Sequence, residues 1–93
     1  LSDSKQSILF QKLNVNPQDV QKFLESVVAG QQLKAEEMLK NNPDLALASG
    51  TVIDHAKRTF ENITGFQYAV WALDWHMWQM IKKYLSSEIS HEN

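Results

Sequence analysis

Residues 16–30 read NPQDVQKFLESVVAG, and this stretch predicts an amphipathic helix with a defined start and end. Asn16 can accept hydrogen bonds from exposed amides at a helix N-terminus, and Pro17 suits the first helical position because it has no amide hydrogen. Gly30 can adopt the left-handed conformation that ends a helix. The apolar side chains recur at the spacing of one helix face, and they are Val20, Phe23, Leu24, Val27 and Val28.

A second helix is predicted over residues 32–41, with almost no linker after the first. Its narrower apolar side consists of Leu33, Ala35, Met38 and Leu39. The sequence Asn-Asn-Pro at residues 41–43 stops this helix, because asparagine tolerates the left-handed conformation and proline cannot continue a helix. Two amphipathic helices joined so closely fold back antiparallel to share one apolar layer, so residues 16–43 are predicted to form a helix pair.

Residues 64–85 are the most apolar part of the chain and are predicted to form a second helix pair. Thr64 has the side chain of an N-cap, and a break at Leu73, with Asp74 as the next cap, would separate two helices. Without that break, residues 66–85 would form one long helix. One apolar stripe consists of Phe66, Ala69, Val70, Leu73, Met77, Ile81 and Tyr84, and a second consists of Trp71, Trp75 and Trp78.

The remaining segments have weaker patterns. Residues 1–15 are expected to form a short helix or arm, and residues 86–93 a polar tail. Residues 44–63 lose the helical periodicity, and the β propensity of residues 51–53 after a Ser-Gly turn predicts a long loop or a short hairpin. The side chains expected to anchor this segment are Val52, Phe60 and Ile63. The predicted fold class is all-α, with two antiparallel helix pairs and this loop or hairpin between them.

The start of the second pair carries a recognisable motif. Residues 64–69 read Thr-Gly-Phe-Gln-Tyr-Ala and stand where an ankyrin repeat has Thr-Pro-Leu-His-x-Ala, with Thr64 and Ala69 as matches. Residues 77–85 and 17–43 have a spacing similar to that of ankyrin helices. The chain therefore resembles a degenerate ankyrin-like stack, which implies a protein-interaction module. The equivalent helices, however, lie more than forty residues apart, against about 33 in the repeat.

A longer stretch, residues 50–78, contains a distinctive set of polar and aromatic residues. They include Asp54, Arg58, Phe60, Asn62, Trp71, Asp74, His76 and Trp78. The stretch resembles a segment that recurs in effector proteins of intracellular bacterial pathogens. The resemblance implies a host-protein partner, a role in virulence and secretion into the host cell by a type IV system, and it assigns no catalytic residue.

The composition limits the classes of function. A net charge of −2 with both signs scattered along 93 residues argues against nucleic acid as a partner, because duplex binding requires a concentrated basic surface. The absence of cysteine fits a reducing, cytosolic-type compartment. No apolar run approaches the ~20 residues that span a bilayer. Because the chain begins at Leu1 and not at a methionine, we expect it to be a fragment of a longer protein.

No pattern in the sequence indicates catalysis, a metal site or a cofactor. The histidines are His55, His76 and His91. His76 follows Asp74 by two residues, so on a helix their side chains point apart and cannot share a metal ion. The spacing motifs of zinc proteases, phosphate-binding loops and serine hydrolases are missing as well. We therefore expect a chain that is not an enzyme.

The candidate partner-binding residues are Trp71, Trp75, Trp78, His76, Asp54 and Arg58. The tryptophan stripe has two interpretations, either core packing or an exposed partner surface, since tryptophan is enriched at interaction hot spots. Asp54 and Arg58 either brace a loop or contact a partner. The leading hypothesis is a non-catalytic interaction module of a secreted bacterial effector. The alternatives are a helical regulatory segment of a larger enzyme and a self-associating homodimer.

Overall fold

The computed structural model describes the backbone of residues 15–92 and the side chains of residues 15–85. The predicted N-terminal helix therefore lies almost wholly outside the described residues. The elements follow one another along the chain as α1 (Pro17–Val28), α2 (Gln32–Asn41), a 3-10 helix (Pro43–Ala46), β1 (Ser49–Ile53), β2 (Thr59–Thr64), α3 (Gly65–Trp71) and α4 (Trp75–Glu92). Within residues 15–92, no helix has the length and apolar character needed to cross a membrane.

The predicted all-α class is wrong, because β1 and β2 pair antiparallel and make the fold mixed α/β. The hairpin was one of the two structures that the weak pattern of residues 44–63 allowed. Val52 is buried in β1 while Thr51 and Ile53 are exposed, which is the alternation expected of a strand with one face on the core. The expected anchors Phe60 and Ile63 are partly buried and also pack against the core.

The first helix pair has the predicted bounds. The side chain of Asn16 accepts a 2.7 Å hydrogen bond from the Gln18 amide, and Gly30 ends the segment with a φ of 73°. The apolar face of α1 supplies the centre of the core, where Phe23 and Leu24 are almost completely buried. Local caps and helical periodicity were therefore sufficient to predict α1. For α2 the bounds are as predicted, but the predicted apolar side is wrong at Leu33, which is 83% exposed.

The second helix pair is broken where the sequence allowed a break. α3 ends at Trp71 and α4 begins at Trp75, and the Asp74 side chain accepts a 3.4 Å hydrogen bond from the Met77 amide. α4 then continues to Glu92, so most of the predicted polar tail belongs to this helix. The continuous apolar stripe predicted across the break is wrong, because the turn leaves Val70 and Leu73 exposed.

Two glycines allow the hairpin and α3 to approach α1 closely. A Cβ atom on Gly65 would lie 2.7 Å from Cε2 of Phe23, and one on Gly50 would lie 2.9 Å from Cδ1 of Leu24. Both distances are shorter than a carbon–carbon contact can be, so only glycine fits without movement of the neighbours. The core gathers residues from the helices and from β1, and its largest fully buried side chains are Phe23, Leu24, Leu39, Met77, Ile81 and Val52. α1 packs beside α3, and α2 packs beside α4.

Candidate functional site

Asp54 organises the turn between the two strands. One carboxylate oxygen accepts hydrogen bonds of 2.9 Å from the amides of Ala56 and Arg58, and the other accepts a 2.8 Å bond from Nε of Arg58. Main-chain bonds from the Asp54 amide to the Arg58 carbonyl and from the Lys57 amide to the Asp54 carbonyl close the turn. The geometry is therefore that of a loop brace, the first of the two interpretations of this pair.

The environment of Asp54 favours its ionised form. Burial raises the pKa of this carboxyl, but the hydrogen bonds from Arg58, its positive charge and the bond from the Ala56 amide outweigh burial and lower the pKa. The Asp54 side chain is only 3% exposed, whereas that of Arg58 is 57% exposed. One partner of this ion pair thus belongs to the interior of the turn, and the other reaches the surface.

A first aromatic cluster joins the hairpin to α3. The ring of Phe60 lies edge-on to Tyr68 at 5.2 Å and to Trp71 at 4.8 Å between ring centroids. Cζ of Arg58 lies 4.6 Å from the centroid of the Trp71 ring, within the range of a cation–π interaction. Trp71 remains 48% exposed, so one side of its ring packs against the cluster and the rest meets solvent.

A second aromatic cluster joins α3 to α4. The rings of Phe66 and Trp78 are perpendicular with centroids 6.1 Å apart, and those of Trp75 and Trp78 are 4.8 Å apart. Trp78 is partly buried against the core, whereas Trp75 is 59% exposed. The tryptophan stripe is therefore divided: Trp78 packs inward, as the core interpretation expects, while Trp71 and Trp75 are exposed on different helices.

Val70 and Leu73 complete an apolar surface with the two exposed tryptophans. Val70 is 43% exposed on α3, and Leu73, in the turn to α4, is 86% exposed. We call Val70, Trp71, Leu73 and Trp75 the α3–α4 surface. Sequence reasoning found its tryptophans but placed Val70 and Leu73 on a buried stripe. Their exposure could have been predicted only from the break at Asp74, because a turn at that point ends the apolar stripe.

His76, another predicted site residue, does not join this surface. It lines a cleft of about 320 Å³ between α2 and α4, together with Gln32, Gln79, Met80 and Lys83. A larger groove of about 460 Å³ between α1 and β1 has an apolar lining that includes Val15, Val20 and Leu47, and no sequence pattern predicted it. In the part of the chain that the structure describes, no three His, Cys, Asp or Glu side chains are grouped to hold a metal ion.

Comparison with known proteins returns one similar curated protein. It is an uncharacterized protein of Coxiella burnetii, 44% identical over 75 residues. The matched region covers 80% of this chain but 22% of the relative, so the chain corresponds to about a fifth of that protein. No family model matches the chain, and no solved structure matches it significantly.

Proposed function

We propose that this chain is a protein–protein interaction module that binds its partner through the α3–α4 surface. The observation that carries the proposal is the exposure of Trp71, Leu73 and Trp75, at 48%, 86% and 59%, on adjoining parts of one helix pair. Full burial of a large apolar side chain stabilises by about 1.5–3 kcal/mol, and the fold realises only part of that gain for these three side chains. Contiguous exposed apolar groups rimmed by polar residues mark interaction sites.

The aromatic packing beneath this surface supports the same function. The ring of Trp71 is held by Phe60 and Tyr68, and that of Trp75 by Trp78. Rings fixed in this way lose little conformational freedom when a partner covers them, so more of the contact energy is available for binding. Tryptophan and arginine are also the residues most enriched at binding hot spots.

The proposed role is non-catalytic. Asp54 and Arg58 form the closest acid–base pair of the described side chains, and the Asp54 oxygens are occupied by the turn that they brace. The pair is therefore suited to holding the hairpin beside Trp71, where it contributes to the shape of the binding surface.

We further propose that the protein is a secreted bacterial effector and that its partner is a host protein. The support is the resemblance of residues 50–78 to effector segments, a stretch that contains the whole α3–α4 surface. A translocation reporter fused to the protein should give a signal in infected host cells. The signal should disappear in a bacterial strain whose type IV secretion is inactive, and a signal that persists there would contradict the proposed route.

The interaction surface is tested by affinity capture from host-cell lysate with matched variants. Trp75→Ala should abolish capture of the specific partner, because it removes the more exposed of the two tryptophan rings on the α3–α4 surface. Ile53→Ala is the control, since Ile53 is 62% exposed on β1 and lies outside the surface. Capture that survives Trp75→Ala in a protein of unchanged thermal stability would rule out this surface.

A second candidate function is that of an accessory segment in a larger protein. It is favoured by the match to the Coxiella burnetii protein, of which the aligned region makes up only 22%. In that case the α3–α4 surface would be covered by another part of the same polypeptide. Limited proteolysis of the longer protein would then release this segment only after the contact is broken by Trp75→Ala.

A further inference from the structure

Helix α1 ends in a turn whose geometry requires a left-handed residue. Gly30 has a φ of 73°, and its amide donates a 3.1 Å hydrogen bond to the Val27 carbonyl. The amide of Gln31 donates a 2.9 Å bond to the Ser26 carbonyl. This pair of bonds defines the common helix ending in which glycine is preferred, because glycine alone adopts positive φ without strain.

Helix α3 ends in the same turn but with leucine in the glycine position. The amide of Leu73 donates a 3.1 Å bond to the Val70 carbonyl, and that of Asp74 donates a 2.9 Å bond to the Ala69 carbonyl. Leu73 has a φ of 59°, in the left-handed region that branched side chains rarely adopt. The turn at Gly30 therefore shows that the same main-chain hydrogen bonds form with glycine at this position.

Leu73 carries a cost in free energy that its side chain does not offset. Its backbone is strained, and its side chain is 86% exposed, so it gains almost nothing from burial. Glycine in the equivalent turn of the first helix pair provides the same hydrogen bonds without the strain. A strained residue that the fold does not need is evidence for a role in binding.

A positively charged group, Arg58, lies beside the surface at Trp71. Nε of Arg58 is bound to Asp54 at 2.8 Å and its guanidinium lies over Trp71, which together fix its orientation. Its terminal nitrogens make no hydrogen bond to any described side chain or main-chain group, and the side chain is 57% exposed. The neighbouring Lys57 is exposed and forms no ion pair within residues 15–85. An oriented guanidinium with free terminal donors matches the geometry of a carboxylate.

We propose that the α3–α4 surface binds an acidic, apolar segment of a partner protein. A carboxylate of that segment pairs with Arg58, and apolar side chains of the segment cover Trp71 and Leu73. The inference rests on the proposed interaction function and adds the chemistry of the partner. The exposed, oriented guanidinium of Arg58 favours an acidic occupant, and a second copy of the chain is the alternative that the oligomeric state tests.

The test is selection of a phage-displayed library of random peptides on the intact chain. Enriched peptides should combine aspartate or glutamate with neighbouring large apolar residues. For one such peptide, binding measured by calorimetry should weaken about tenfold in Arg58→Gln and about tenfold in Leu73→Gly. Thermal stability should fall in the first variant, because Asp54 loses its partner in the turn, so binding is compared at a temperature at which both variants are folded. It should rise or stay constant in the second variant, because glycine relieves the strain.

Gly30→Leu is the matched control for Leu73→Gly. It places a strained leucine in the equivalent turn, where a Cβ atom meets nothing within 4 Å. Its melting temperature should fall while peptide binding stays unchanged.

The outcomes separate the inference from the proposed function. Peptides that bind through Trp75 but lack acidic residues and ignore Arg58→Gln would overturn the acidic partner and leave the interaction module intact. A lower melting temperature in Leu73→Gly would show that Leu73 serves the fold and would overturn its assignment to binding. A library that yields no peptide sensitive to Trp75→Ala would overturn both.

Discussion

At the scale of single residues, two small or polar side chains do more for the fold than their size suggests. Gly65 allows α3 to begin against the ring of Phe23, and Asp54 holds the hairpin turn with three hydrogen bonds. Neither contribution is visible as hydrophobic burial. Both are open to substitution experiments in which the direction of the effect follows from the contacts.

Gly65→Ala should destabilise the protein by about 1–3 kcal/mol, the usual cost of overpacking a core. The added Cβ would lie 2.7 Å from Cε2 of Phe23 and 3.2 Å from Cγ2 of Val27, so the start of α3 must shift. The measurement is urea unfolding followed by circular dichroism. A variant with the wild-type midpoint would show that α3 moves away from α1 at no cost.

The contribution of Asp54 to stability should depend on pH. Its folded-state pKa is lowered below 3.8, so its ionised form stabilises the fold fully above the pKa of the unfolded chain. This stabilisation is lost as the pH falls through the folded pKa. The difference in unfolding free energy between wild type and Asp54→Asn should therefore be present at neutral pH and shrink below pH 3.8. Glu37→Gln, an exposed position in α2, is the control, and a difference that persists in acid would contradict the role of the charge.

At the scale of secondary-structure elements, a helix or strand is predicted most accurately when the residues that determine it lie within it or beside it in the sequence. Asn16, Gly30 and one apolar stripe determine α1, and all of these signals lie within the helix or beside it. The hairpin was harder to predict, because its turn is closed by the Asp54 side chain and only Val52 of β1 is fully buried. The sequence pattern therefore allowed either a loop or a hairpin at residues 44–63. The prediction of an all-α fold was wrong because it gave the hairpin no weight in the fold class.

The sequence predicted the break between α3 and α4 only as one of two possibilities, the other being one long helix over residues 66–85. Leucine is a poor signal for a left-handed helix ending, and Asp74 alone is a modest cap. Without the break, the tryptophans form one stripe. With it, Trp71 joins the hairpin and Trp75 joins α4. The residues of the candidate surface could thus be named from the sequence, but their exposure depended on tertiary structure.

The start of α3 is stabilised by reciprocal hydrogen bonds between Thr64 and Gln67. Oγ1 of Thr64 accepts from the Gln67 amide at 3.1 Å, and Oε1 of Gln67 accepts from the Thr64 amide at 3.0 Å. Thr64→Ala should cost about 1 kcal/mol of unfolding free energy. A double-mutant cycle with Gln67→Ala should show coupling, because the two bonds form one capping box. Strictly additive losses would show that the bonds act separately.

At the scale of the whole molecule, the two helix pairs lie side by side, with α1 against α3 and α2 against α4. Polar contacts reinforce the packing of α2 against α4. The Tyr84 hydroxyl of α4 donates a 3.3 Å hydrogen bond to the Glu36 carboxylate of α2, and Lys83 lies 3.9 Å from the same carboxylate. The side chains of the α3–α4 surface take no part in these contacts and are exposed. A partner can therefore cover them without breaking the contacts between α2 and α4.

The isolated chain is expected to be monomeric in solution. The proposed occupant of the α3–α4 surface is a different protein, whose acidic segment supplies the carboxylate for Arg58, so a second copy is not needed to cover it. Light scattering should return a mass near 10.7 kDa at concentrations where the thermal unfolding is measured. A mass of twice that value, reduced by Leu73→Gly, would make a second copy the partner of the α3–α4 surface.

The bonds that close the turn at Leu73 run between main-chain groups, as they do at Gly30, and none involves the Leu73 side chain. The side chain at this position is therefore free to change while the turn keeps its shape. Under the proposed binding role, substitutions that alter the choice of partner can accumulate at residue 73 without compensating changes in the core. In evolutionary terms, the position would then separate binding specificity from foldability, so that related chains can diverge in what they recognise while keeping one architecture.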